Sequence, residues 1–202
     1  SLFFETGELE VHALSRDSQG NIYAATSPHG KVFKISPEGN GHVLFQAEEK
    51  FVMALALDDD GNLYAGTGDA GKVYRIAPDG GASLLTELGE QQVLSLHWDV
   101  HGSLLAGTGI NGVVYRIDKQ GNAEPIFDAE EDSVTSVVAD GSGNVYAGTS
   151  PKGVIYRVSP DGRSKALFTK ATRVLSMTSD SRDNIYAVSD GTVVRIAPDE
   201  TV

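Results

Sequence analysis

The sequence predicts an all-β fold made of five like units, and three observations predict it. The first is a repeat. Asn21-Ile22-Tyr23-Ala24-Ala25-Thr26 returns as Asn62-Leu63-Tyr64-Ala65-Gly66-Thr67, then as Ser103-Leu104-Leu105-Ala106-Gly107-Thr108. It returns again as Asn144-Val145-Tyr146-Ala147-Gly148-Thr149 and Asn184-Ile185-Tyr186-Ala187-Val188-Ser189, at spacings of 41, 41, 41 and 40. The second is an apolar period of two residues inside each unit, which belongs to strands and not to helices. The third is the punctuation: each unit carries Asp- and Gly-containing turns at the same offsets, among 23 glycines in 202 residues. Four short antiparallel strands per unit of about 40 residues is one blade of a β-propeller, so the expectation is a five-bladed β-propeller.

The second unit shows the reading of each element. Phe51 to Leu57 forms a first strand, and Asp58-Asp59-Asp60-Gly61 turns the chain. Asn62 to Thr67 forms the second, Gly68-Asp69-Ala70-Gly71 a loop, and Lys72 to Ala77 the third. Pro78-Asp79-Gly80-Gly81 then turns into a fourth strand, Ala82 to Thr86. Proline presets φ at the first central turn position, and Asp and Gly suit the next ones. The fifth unit stops after its third strand, whereas Leu2-Phe3-Phe4 carries the apolar pattern of a fourth. Phe4 stands nine residues before Ala13, as Phe45 stands nine before Ala54. The expectation is therefore one domain over residues 1–202, with residues 1–5 pairing with the strand Thr192 to Ala197 to complete the last blade and close the ring. The rivals are a five-unit slice of a larger ring, natural or engineered, and a chain that closes only by oligomerising.

The composition excludes several classes. With 28 acidic residues against 16 basic, the formal net charge is −12, which argues against nucleic acid and anionic membrane as partners. No cysteine is present, so disulfide and thiolate chemistry are out. No apolar run approaches a bilayer span. No targeting segment is visible, which leaves cytoplasmic and extracytoplasmic settings both open.

The repeat resembles the blades of bacterial propellers of the NHL-repeat, gluconolactonase-like and streptogramin-lyase-like group. Asp58, Gly61, Asn62, Tyr64, Val73, Tyr74, Arg75, Ile76, Pro78, Asp79 and Gly80, with their counterparts in the other units, carry that resemblance. It is a likeness of blade grammar that implies the fold and says little of activity. The WD-repeat signature is not met, since Gly41-His42 and Trp98-Asp99 each occur once.

Most chemically suggestive residues read as scaffold. The Asp opening each first turn (Asp17, Asp58, Asp99, Asp140, Asp180) reads as an Asx turn, because a calcium loop needs six to eight oxygens. No metal and no cofactor are expected. The third-strand Lys34, Arg75, Arg116, Arg157 and Arg195 are expected to stack on neighbours and pair with turn aspartates. No nucleophile elbow, zinc-binding helix motif or phosphate loop is present.

Recognition is expected where the units differ. At the entries and upper ends of the innermost strands stand Glu10, His12, Phe51, Gln92 and Arg173; on the adjoining loops stand Asp69, Asn111 and Lys152. The blade-to-blade loops on that face are rich in acid, including Glu8, Glu48, Glu49, Glu90, Glu130 and Glu131. The sequence favours a monomeric, non-catalytic binding or scaffolding propeller that takes a small molecule or a basic protein segment. The alternative that the resemblance implies is a metal-assisted hydrolase or lyase of the gluconolactonase or streptogramin-lyase type.

Overall fold

Residues 2–169 and 171–202 are described by a computed structural model. The chain divides into two compact units, Ser1–Leu96 and His97–Val202. In the first, β1 (Glu10–Arg16), β2 (Ile22–Ser27), β3 (Lys31–Ile35) and β4 (Gly41–Gln46) form one antiparallel sheet in chain order. A second sheet repeats it with β5 (Val52–Leu57), β6 (Leu63–Thr67), β7 (Lys72–Ile76) and β8 (Ala82–Glu87). The division falls inside β9 (Gln92–Trp98), which belongs to the third sheet with β10 (Leu104–Gly109), β11 (Val113–Ile117) and β12 (Ala123–Asp128).

The second unit goes on with β13 (Ser133–Ala139), β14 (Val145–Ser150), β15 (Ile155–Val158) and β16 (Ser164–Phe168). Its last sheet holds β17 (Ser176–Ser179), β18 (Ile185–Ser189) and β19 (Thr192–Ile196). Register repeats along with sequence: Tyr64 faces Arg75 across β6 and β7 as Tyr146 faces Arg157 across β14 and β15.

Cores lie between neighbouring sheets. Val52, Leu55, Leu63 and Ile76 pack with Tyr23, Ala25 and Val32 in the first unit. In the second, Val134, Val137 and Val145 pack with Leu105 and Val114, and Val174, Met177 and Ile185 pack with Tyr146 and Ile155. Each such aliphatic contributes about 1.5–3 kcal/mol when fully buried. The second strand must be thin for this approach. A Cβ built on Gly66 would lie 2.5 Å from Val93 Cγ1, and one on Gly148 would lie 2.6 Å from Val174 Cγ1.

The fifth sheet has three strands among the described residues, and residues 2–6 lie outside any strand. Ser1 lies outside the described residues. Phe4 instead packs its ring on Phe33 of β3, with centroids 5.7 Å apart, beside Ala24 and Ile35. The seat exists because position 41 lacks a side chain: a Cβ on Gly41 would meet the Phe4 ring at 2.5 Å. The packing has counterparts. Phe45 meets Tyr74 at 5.1 Å and Phe127 meets Tyr156 at 5.0 Å, each an outer-strand aromatic on the third strand of the following sheet.

Candidate functional site

The innermost strands carry a feature that alternation does not foretell. In β1 the ladder slips between Val11 and Ala13, in β5 between Val52 and Ala54, and in β13 between Val134 and Ser136. His12, Met53 and Thr135 are the extra residues of these bulges. A bulge leaves its extra residue out of the ladder and re-aims its side chain.

Around the first bulge, three polar side chains meet. His12 Nε2 lies 2.8 Å from Ser27 Oγ and 3.5 Å from Glu10 Oε2, and Ser27 Oγ donates to Glu10 Oε2 at 3.4 Å. Strand pairing sets Glu10 opposite Ser27, which explains the contact. Ser27 is buried and Glu10 is largely in water. Thr135, at the equivalent bulge, instead donates from Oγ1 toward the carbonyls of Gly148 and Val174 at 3.0 and 2.6 Å.

The remaining expected residues sit apart from this cluster. Phe51 is half-buried beside the β6–β7 loop, where Gly68 N donates to its carbonyl at 3.0 Å. Asp69, next to Gly68, is exposed with φ of 81°. Gln92 is half-buried at the start of β9. In the second unit, Asn111, Lys152 and Arg173 are exposed on three separate loops. The structure thus joins Glu10 with His12 and sets Phe51 beside the Asp69 loop.

The loop carboxylates are the main correction to the charge reading. Glu8, Glu49 and Glu131 are 2%, 6% and 3% exposed, so they are no part of a solvated rim. Glu8 pairs with Lys31 Nζ at 2.7 Å and with His29 Nδ1 at 2.9 Å. Glu49 pairs with Lys72 Nζ at 2.7 Å and accepts from Tyr74 Oη at 3.0 Å. The Lys31 hydrogen bond holds the Glu8 carboxyl below the ordinary range. Burial pushes the Glu49 carboxyl up, but Lys72, a backbone amide and Tyr74 outweigh it and leave that carboxyl lowered. Glu131 keeps the tyrosine, Tyr156, whose phenol is pushed up to about 12 by burial and by this bond. Its lysine is replaced by Val154, and Glu131 Oε2 has no hydrogen-bond partner among the described residues. A spacing of 41 residues links Glu8, Glu49, Glu90 and Glu131 and could have revealed the set.

The first-turn aspartates are Asx turns, as expected. Asp58 Oδ1 accepts from Asn62 N, and its Oδ2 accepts from Asn62 Nδ2 at 2.8 Å and Tyr64 Oη at 3.1 Å. Asp17, Asp140 and Asp180 repeat this with Tyr23, Tyr146 and Tyr186. Among the described residues, no three His, Asp or Glu side chains gather as a metal site. The third-strand cations do not pair with the turn aspartates as expected. Lys34 lies over the Tyr23 ring, and Arg157 binds Asn144 Oδ1 at 2.9 Å and Glu200 Oε1 at 2.7 Å.

No family model and no curated protein matches the sequence. Solved structures do match. A streptogramin B lyase superposes with a TM-score of 0.83 at 16% identity, over 95% of this chain and 66% of that one. A catalytically inactive histidine-to-alanine virginiamycin B lyase from Staphylococcus aureus, with quinupristin, superposes with a TM-score of 0.81 at 15% identity, over 95% of this chain and 68% of that one. A chain of the nidogen/laminin complex gives 0.79 at 17% identity, over 93% and 75%. The fold is a β-propeller similar to that of the streptogramin-type lyases, and this chain spans about two thirds of the length of those lyases.

Proposed function

We propose that the protein is a non-catalytic binding propeller. Its five sheets are the blades of one ring, and the Leu2-Phe3-Phe4 segment takes the outer position of the fifth without strand pairing. It recognises a small molecule or a basic protein segment through Glu10, His12, Phe51, Asp69, Gln92, Asn111, Lys152 and Arg173. One observation carries the reading: the innermost strands β1, β5 and β13 repeat the same bulge, and each presents a different side chain there, His12, Met53 or Thr135. A repeated frame with a different residue at each bulge is how a scaffold acquires specificity without altering its core. The conserved geometry of the Phe4–Phe33, Phe45–Tyr74 and Phe127–Tyr156 contacts supports the role of the first residues.

A lyase reading has one observation in its favour, the His12–Ser27–Glu10 cluster. A histidine in hydrogen-bond reach of a hydroxyl and a carboxylate is equipped to move a proton. The test for both is a thermal-shift screen with basic peptides, sugars and lactones, since a ligand that binds only the folded state raises the melting temperature. A hit whose shift disappears in the His12→Ala, Arg173→Ala variant, and which is recovered unchanged, supports binding. Chemical conversion of the hit supports the lyase. A shift that the double substitution leaves intact overturns the assigned face.

A further inference from the structure

The repeat contains its own control, and one blade breaks it. In the fourth sheet Asn144 joins two charged groups. Its Nδ2 donates to Asp140 Oδ2 at 2.8 Å, and its Oδ1 accepts from Arg157 Nη2 at 2.9 Å. Asn21, Asn62 and Asn184 likewise reach the second oxygen of Asp17, Asp58 and Asp180. In the third sheet the asparagine is Ser103 and the neighbouring tyrosine is Leu105. Serine is too short to bridge.

The consequence falls on two groups. Asp99 is 3% exposed, and its Oδ1 accepts from His101 N and Ser103 N, both at 2.9 Å. Its Oδ2 lacks the asparagine and tyrosine donors of its counterparts and receives no hydrogen bond among the described residues. Arg116 occupies the place of Arg157, opposite Leu105 on the ladder, and is half-buried. Among the described residues it makes neither an ion pair nor a side-chain hydrogen bond.

Both groups line one cavity. Asp99, His101, Ser103, Arg116, Ser142, Gly143 and Pro160 line an open hollow of about 330 Å³, within the size range of small-ligand sites. A second hollow of about 360 Å³ adjoins it across Arg116 and Pro160. The His101 ring fits here because residue 143 is glycine, where a Cβ would come 3.0 Å from Nε2.

We propose that this cavity between the third and fourth sheets binds a small hydroxylated monocarboxylate, a uronic acid in size and chemistry. The Arg116 fork takes the carboxylate in bidentate fashion. Asp99 Oδ2 accepts from a ligand hydroxyl, and Ser103, Ser142 and His101 serve the other hydroxyls. A phosphate is disfavoured, because a dianion would face the buried carboxylate of Asp99 without a second cation in the wall.

The test is calorimetric titration with glucuronate and galacturonate, with glucose as the uncharged control. Saturable one-to-one binding of at least one acid, and none of glucose, is expected. Ser103→Asn restores the bridge, so it should fold with a melting temperature at or above the parent and weaken binding by about tenfold or more. Arg116→Met should lose binding as well, which keeps the proposal falsifiable if Ser103→Asn fails to fold. Absence of saturable binding at millimolar acid means a cavity filled by water alone and overturns the proposal. So does equal binding of glucose, or binding that survives either substitution.

Discussion

Glu49 Oε1 and Lys72 Nζ lie 2.7 Å apart with the carboxylate almost wholly enclosed, and Glu8 with Lys31 repeats the distance 41 residues earlier. This pair ties the loop entering a sheet to the third strand of that sheet. Both carboxyls are held below their ordinary value, so they contribute stability above about pH 4.5, which is lost as the pH falls through their folded pKa. Glu49→Gln should lower the melting temperature at neutral pH, where the Lys72 pair is lost, and flatten the acid limb of a melting-temperature against pH curve. An unchanged acid limb would refute the linkage.

Alkali should act through the tyrosines. Burial and the neighbouring carboxylates push the Tyr64, Tyr146 and Tyr156 phenols up to about 12 from the ordinary 10. A raised folded pKa gives stability that is whole below pH 10 and is lost as the pH climbs toward 12. Ultraviolet titration should show these phenols ionising late. Tyr64→Phe should cost about 1–2 kcal/mol by removing the donor to Asp58 Oδ2. Ionisation of all seven tyrosines near pH 10 would contradict this.

Close sheet approach is testable at one atom. Gly66→Ala would set a Cβ 2.5 Å from Val93 Cγ1 and should destabilise by about 1–3 kcal/mol. Val93→Ala in the same chain should recover part of that loss, because the clash disappears. Denaturant midpoints measure both. Simple additivity of the two losses would show that they do not touch.

Ile110 sits at φ of 77°, a conformation that a β-branched residue adopts only under strain. Its counterpart Asp69 has φ of 81°, so the loop itself demands this backbone. Ile110→Gly should raise stability by about 1 kcal/mol, read as a higher melting temperature. A fall would mean that the isoleucine side chain, half in water, has an unseen use there.

Phe4→Ala should destabilise by about 2–3 kcal/mol, less than a fully enclosed phenylalanine would, since the ring is only half-buried against Phe33. Gly41→Val should produce a similar loss by evicting the same ring. A wild-type melting profile in Phe4→Ala would show that the first residues are passengers.

The strands were legible because period-two alternation and turns opened by Asp or Pro occur together in every unit. The bulges were not. His12 follows Val11 and precedes Ala13 with nothing in residue type to mark a slipped register. The buried carboxylates were hidden by charge counting: Glu49 beside Glu48 and Lys50 reads as a solvated run until Lys72 is found 2.7 Å away. Ser103 was visible as a break in the repeat, but its meaning depends on Asn144 holding Asp140 and Arg157 at once. Pattern locates an exception; only geometry says what the exception leaves undone.

The bulges also bear on engineering. A residue left out of the ladder carries no backbone pairing of its own, so its exchange leaves the ladder hydrogen bonds in place and removes only side-chain contacts, such as those of Thr135 with the Gly148 and Val174 carbonyls. His12, Met53 and Thr135 therefore form a natural set for a combinatorial library, with the variable side chains mounted on rigid β-strands. Selection from such a library could install new recognition while the 41-residue frame carries the folding.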